Sequence, residues 1–364
     1  MERLTRSTRY DVAIVGGGAT GLGVALDAAS RGLSVALVES HDFGGGTSSR
    51  ATKLVHGGVR YLAQGRIGLV HEALHERGCL LRNAPHLARP LGFIMPSYHL
   101  WESPFHGAGL KLYDVLAGSE GLGPTEFLDR HQTLARMPNL RAEGLKGSVR
   151  YWDGQFDDAR LALALARTAA QHGAALANYC AAVALLHEAG RVAGLRCQDR
   201  ESGLQFDLRA GCVINATGVW VDALRAQDAR ADLAPLVSPS QGVHAVVDRE
   251  FLPGGDALIV PRTADGRVLF AVPWLGKVIL GTTDTPRADL PRDPEALPGE
   301  LGFILREAGR YLARAPALDD VRSLWAGLRP LVRPASGMPG ASGSISREHT
   351  VEVSPSGLVT VTGG

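Results

Sequence analysis

The stretch that most restricts the fold is YDVAIVGGGATG, residues 10–21. A short apolar run ends in three glycines, and small helix-compatible residues continue to Gly32. A strand with no polar face belongs in a parallel sheet covered on both sides. SVALVE (34–39) repeats the strand pattern. Strand, helix and strand thus fit into about thirty residues and predict a parallel β-α-β unit. The glycines fall as Gly16-x-Gly18-x-x-Gly21. The first permits a tight turn, the second lets backbone approach a pyrophosphate, and the third lets the helix pack on the sheet, its N-terminus attracting phosphate charge. Glu39 closes the second strand, where a carboxylate can accept ribose hydroxyls. The pattern predicts a dinucleotide site rather than a bare glycine turn.

The rest of the chain mixes helix and strand. Ile67, Val70, Leu74 and Leu81 predict a helix over 66–83, and residues 160–173 a second one stopped by Gly173. Short apolar runs over 176–215 alternate with turns and end in CVINATG. A strand-rich region covers 242–284, a helix is expected near 295–313, and two strands surround a Pro-Ser-Gly turn at the end. At 364 residues the chain exceeds one ordinary core, and no linker divides it, so two interleaved domains are expected.

The glycine motif fits NAD and FAD alike. GTSSRATKLVHGGVRYL (46–62) decides between them. Thr47, Ser48 and Ser49 offer small hydroxyls to a phosphate or flavin edge, and Gly57 and Gly58 let main chain approach a flat ring. Together with GGGATGLGVALDAASRGLSVALVE before it, this segment resembles the FAD-dependent glycerol-3-phosphate dehydrogenases, relatives of the D-amino-acid oxidase fold. The resemblance continues through NAPHLARPL (83–91), FDDARL (156–161), INATGVW (214–220), QGVH (241–244), VPWLGKVILGTTDT (272–285), GLRPL (327–331), SREHT (346–350) and GLVTVTGG (357–364).

The resemblance implies an α/β fold, with a Rossmann-like FAD-binding domain at 9–92, 157–228 and 330–364. A substrate domain with a mixed, largely antiparallel sheet takes 93–156 and 229–329. FAD would lie among Gly16, Gly18, Thr20, Gly21, Glu39, Thr47, Ser48, Ser49, Lys53, His56, Gly57, Gly58, Val183, Ala216, Thr217, Gly218, Trp220 and Arg329. Arg60 and Arg347 would hold the substrate phosphate, since a guanidinium fork matches phosphate oxygens, and Tyr61 would reach into the substrate pocket beside Arg60. His244 would take the hydroxyl proton and Arg329 would steady the developing alkoxide. The implied reaction converts glycerol 3-phosphate to dihydroxyacetone phosphate, with electrons passed to quinone or oxygen. A homodimer and peripheral contact with the inner face of a cell membrane belong to the same expectation. Many relatives carry lysine where Gln241 stands, which bears on substrate electrostatics. In the family a lysine and a Thr-Thr-Tyr-Arg segment follow the final glycines, so the resemblance also implies an incomplete chain with weak flavin retention and little turnover.

Other readings compete with this one. The same fold serves flavin enzymes acting on amino or hydroxy acids, and an inactive nucleotide-binding fragment is a non-enzyme alternative. HEALH (71–75) matches the zinc-protease pattern H-E-x-x-H, yet Leu81 replaces its third histidine and the same residues suit the wet side of an amphipathic helix. No metal is expected. NAT (215–217) matches a glycosylation sequon but falls at an expected buried strand end. Four scattered cysteines without a C-x-x-C pair point to reduced thiols in the cytoplasm. A net charge of +1 gives no field favouring nucleic acid.

Overall fold

The computed structural model describes residues 2–5, 9–228, 234–333 and 349–363, with backbone alone at Arg60, Ala63 and Gln64. Strands and helices are numbered in chain order. One sheet contains β1 (Tyr10–Val15), β2 (Val35–Val38), β7 (Ala175–Ala177), β8 (Cys180–Glu188), β9 (Arg191–Asp199), β10 (Gln205–Asn215), β17 (Thr350–Val353) and β18 (Leu358–Thr362). The other contains β3 (Leu54–Val55), β4 (Ala88–Ser97), β5 (Glu126–Asp129), β6 (Gly147–Phe156), β11 (Val237–Asp248), β12 (Ala257–Val260), β13 (Leu269–Trp274), β14 (Lys277–Gly281), β15 (Thr285–Pro286) and β16 (Ser323–Val332). The helices are α1 (Ala19–Ser30), α2 (Ile67–Asn83), α3 (Glu102–Ala117), α4 (Arg130–Arg136), α5 (Asp158–Gln171), α6 (Val221–Arg225) and α7 (Glu300–Tyr311).

The first sheet has a parallel centre in the order β18-β10-β1-β2-β7. Alternation along β1 explains why it is apolar throughout. Val12 and Ile14 face α1 and α5, whereas Ala13 and Val15 face the β8–β9 meander. The α1–α5 contact is made of small residues, among them Ala25, Ala29, Ala162, Ala166 and Ala169. Strand β10 serves three partners: residues 205–209 pair antiparallel with β9, residues 210–215 run parallel to β1, and residues 213–215 run parallel to β18.

The second sheet is mostly antiparallel, with one parallel junction between β12 and β4. One face packs on α7 through Val243, Ala245, Val247 and Ile304. The other packs on α2 and α3 through Phe93, Tyr151, Leu74 and Leu110. Strand β4 runs across residue 92 and pairs along its full length with β6, so the expected segment end at 92 falls inside a second-sheet strand. Residues 54–55 also belong to that sheet. No helix among the described residues is long and apolar enough to cross a membrane.

Candidate functional site

The turn from β1 into α1 needs its glycines for measurable reasons. Gly16 has φ +112°, and a Cβ there would stand 2.4 Å from the Ala216 carbonyl oxygen. A Cβ on Gly21 would stand 2.0 Å from the Gly16 oxygen, which is how the third glycine sets α1 onto the sheet. A Cβ on Gly18 would meet Ser48 Oγ at 3.1 Å. Gly18 is the N-cap of α1 and supplies no side-chain cap, and Ala19 N–H donates to Ser48 Oγ at 2.8 Å. The start of a twelve-residue helix therefore opens onto a cavity of about 540 Å³. Such a helix start favours anionic groups.

The cavity gathers the expected Gly16, Gly18, Thr20, Glu39, Thr47, Ser48, Ala216, Thr217, Gly218 and Trp220. Glu39 is already part of the turn: its carboxylate accepts from Gly17 N–H and His41 N–H, each at 2.8 Å. Thr217 Oγ1 donates to Asn215 Oδ1 at 2.8 Å, fixing the loop after β10. Buried Asn215 in turn donates to the Val221 carbonyl at 2.9 Å, so the formal sequon has no accessible acceptor. His41, Arg50, Arg292 and Asp293 also line the cavity and were not foreseen. Burial first, then the Arg292 and Arg200 cations, hold the His41 ring below its ordinary pKa, so it is neutral. His41 lies two residues beyond Glu39, and that adjacency was the available signal. Arg292 and Asp293 come from a distant loop with no local signal.

A second cluster forms beside this cavity, on β11 and β16. Register sets His244 opposite Trp325 and Ser240 opposite Arg329. His244 is 2% exposed, stacks on Trp325 at 5.1 Å with 17° between planes, and shares a 2.8 Å hydrogen bond between Nε2 and Thr52 Oγ1. Its Nδ1 is buried without a hydrogen-bond partner among the described residues. Burial, followed by the charges of Arg329 and Lys53, pushes its pKa down to about 3. It is a neutral imidazole beside two cations. Arg329 donates to Thr282 Oγ1 and the Thr283 carbonyl, each at 3.0 Å, and pairs with Asp284 at 3.3 Å. Glycines make the room: a Cβ on Gly281 would stand 2.4 Å from His244 Cδ2, and one on Gly242 would stand 2.2 Å from an Arg329 nitrogen.

Several expected residues take other roles. Lys53 Nζ is tied to Asp158 at 2.6 Å and the Ser49 carbonyl at 2.8 Å. These bonds hold the Ala51–Lys53 stretch, which Asp158 also grips through Ala51 N–H at 3.0 Å. Gly57 meets a packing requirement of its own. A Cβ there would strike the Tyr113 hydroxyl at 2.4 Å and Leu74 Cδ2 at 2.6 Å. Gly58, at φ +71°, lies under the Tyr61 ring, and Tyr61 itself packs against the apolar cluster of α2 and α3. Beneath this turn Asp153 pairs with buried Arg77 at 3.0 Å and accepts from Tyr113 at 2.8 Å. Removing one partner of such a buried pair costs about 3–5 kcal/mol. Val183 does not line the cavity itself. It sits at a bulge in β8 with its side chain 38% exposed, and Ala182 lines the cavity instead.

Gly21, Ser49 and His56 do not line the cavity; Gly21 packs beneath it and His56 is exposed on its turn. The side chain of Arg60, and Arg347 entirely, lie outside the described residues. Gln241 points away from His244, because residues 241 and 244 fall on opposite faces of β11. Its amide donates to Glu300 at 2.8 Å and to the Glu295 carbonyl at 2.9 Å. The missing lysine charge is thus a matter for the Glu300 network, not for the His244 cluster. His71, Glu72 and His75 stand on the exposed side of α2, while Val70 and Leu74 are buried.

The family DAO, FAD dependent oxidoreductase, matches residues 11–364. The chain belongs to this family. FAD is therefore the cofactor, and the cradle fits it: the Gly16 and Gly21 positions leave no room for side chains, and the start of α1 faces the cavity. The chain is 45% identical over 376 residues to the human "Glycerol-3-phosphate dehydrogenase, mitochondrial", covering 99% of this chain and 51% of that protein. It is 40% identical to the protein of the same name from Saccharomyces cerevisiae, covering 100% of this chain and 62% of the relative. The chain thus spans about half the length of the first curated relatives it matches. An X-ray structure of the glycerol-3-phosphate dehydrogenase from Bacillus halodurans complexed with FAD superposes with a TM-score of 0.79 at 34% identity, covering all of this chain and 62% of that one. The glycine oxidase of Bacillus cereus superposes at 0.69 with 23% identity and shares the fold.

Proposed function

We propose that this FAD-dependent oxidoreductase oxidises sn-glycerol 3-phosphate to dihydroxyacetone phosphate. The observation that carries the reading is the His244–Arg329 cluster: a neutral imidazole and a guanidinium held beside a dinucleotide cradle. Bound FAD supplies the hydride acceptor for the carbinol hydrogen. His244, neutral because it is buried among cations, accepts the hydroxyl proton at a ring nitrogen. Nε2 exchanges its Thr52 bond for the substrate, or Nδ1, which has no partner, receives the proton directly. Arg329 stabilises the oxygen as it gains charge, and its bonds to Thr282 and Asp284 keep it oriented. The motif positions of Arg60 and Arg347 assign them to the phosphate. The similarity to named glycerol-3-phosphate dehydrogenases supports this substrate over an amino or hydroxy acid.

We place the electron acceptor in a membrane as a quinone, and the surface of α3 supports that placement. Trp101, Phe105, Leu112 and Val115 are exposed at spacings of four, seven and three residues, one continuous apolar stripe along the helix. Trp101 and Phe105 meet edge to face at 6.0 Å at its start, and Lys111 flanks it. An aromatic end, an apolar side and a flanking cation suit a helix lying in a lipid interface.

The test of the reaction is anaerobic. FAD-loaded protein is mixed with glycerol 3-phosphate, and flavin absorbance near the visible maximum is followed. Bleaching with glycerol 3-phosphate and little with glycerol is the expected result. Bleaching by an amino acid alone would overturn the substrate assignment.

A further inference from the structure

The segment after β15 leaves the edge of the second sheet and crosses to the first. Trp220 Nε1 donates to the Leu290 carbonyl at 3.3 Å. Two residues on, the Arg292 guanidinium lies 4.0 Å from the centre of the Trp220 ring. Asp293 then pairs with Arg50 at 2.8 Å. Both Arg292 and Asp293 line the cavity that contains the α1 N-terminus, Glu39 and His41. This loop therefore closes the dinucleotide site from the other sheet.

The arginines there are not equivalent. Arg50 holds Asp293, and Arg287 holds Asp289 at 2.5 Å. Arg200 donates to the Ser40 carbonyl at 2.9 Å. Arg292 makes no hydrogen bond or ion pair among the described residues. It is a charged planar group, steadied on an indole face at the rim of a cavity built for an anion. A guanidinium so placed can bond a phosphate oxygen through its edge and stack on a purine through its face.

We propose that Arg292 binds the ADP half of FAD, making the 290–293 loop a part of the cofactor site contributed by the second sheet. This rests on the dinucleotide reading of the cavity. No flavin chemistry enters the argument; the recognised features are two phosphate charges and a flat base.

The experiment uses the full chain without cofactor and titrates it with ADP and, separately, with FAD, by calorimetry at two salt concentrations. Arg292→Gln is expected to weaken both ligands on the order of ten- to hundredfold and to flatten the salt dependence. Arg292→Lys keeps the charge but loses the planar fork, and should recover only part of the affinity. The melting temperature of the ligand-free protein should be the same in all three, because Arg292 holds no carboxylate. If wild type binds both ligands and Arg292→Gln binds them within twofold, Arg292 has no such role. If wild type binds neither, the dinucleotide reading itself fails, and this inference with it. Should Arg292→Gln prove unstable, Arg292→Lys carries the comparison, and wild-type affinity and salt slope in that variant would overturn the proposal.

Discussion

Replacing His244 with glutamine should change how stability responds to acid. The ring is 2% exposed, stacked on Trp325 and bordered by Arg329 and Lys53, and its pKa falls from 6.5 to about 3. A depressed folded-state pKa means that the unfolded chain binds the extra proton first. The stabilisation is complete above pH 6.5 and is lost as the pH falls toward 3. Each pH unit inside that window removes roughly 1.4 kcal/mol. Between pH 6.5 and pH 4.5 the histidine should therefore withdraw about 2 kcal/mol of folding free energy. Glutamine does not titrate and withdraws nothing. Arg329, Lys53, Asp158 and Asp284 face the cluster in both proteins and largely cancel in the comparison. The assay is urea unfolding of wild type and His244→Gln at the two pH values. Wild type should lose about 2 kcal/mol more than the variant over this interval. Parallel pH dependence in the two proteins would show that the ring is solvated or charged in the fold, and would remove it as a neutral base.

Glu39→Ala should weaken FAD by roughly 1–3 kcal/mol, read by fluorescence titration, because the carboxylate orders Gly17 and His41 while serving the ribose; unchanged affinity would take Glu39 out of the site. On α3, the double substitution Trp101→Ser and Phe105→Ser should reduce co-sedimentation with phosphatidylglycerol vesicles several-fold, and equal sedimentation would refute the lipid-facing assignment of the stripe.

What the sequence disclosed follows from how local each cause is. The β1–α1–β2 unit was legible because its apolar strands and glycine spacing are written in consecutive residues, and the contact that requires Gly21 is made by Gly16 within the motif itself. The helix over 67–83 shows a single apolar side, so its period is clean. Strand β6 gave no strand signal, because RYWDGQF carries Arg150, Asp153 and Gln155 into the interior, where each finds a polar partner. Helix α3 is apolar on two sides, buried at Leu110 and Tyr113 and exposed at Phe105 and Val115, which erases the contrast a periodicity search needs. His244 and Arg329 come together only through the β11–β16 register, and nothing in QGVH or GLRPL announces that pairing without the family resemblance. Gly57 carries a requirement that its local sequence does not show, since the side chains that crowd it, Leu74 and Tyr113, lie well beyond it in sequence.

The order in which the strands are joined bears on how this protein is made. Tyr10 pairs with Ala210, so β1 lacks one neighbour until 200 further residues have been synthesised. At typical translation speeds of about 5–20 residues per second, that wait is roughly 10–40 s. The second sheet waits similarly, since β4 at Phe93 meets β12 at Ala257. During that time the nascent chain presents apolar strands with open hydrogen-bonding edges, the surfaces from which aggregates grow. Neither half can mature on the ribosome ahead of the other, so production of this protein in a cell should depend on holding chaperones that cover these strands until their partners emerge.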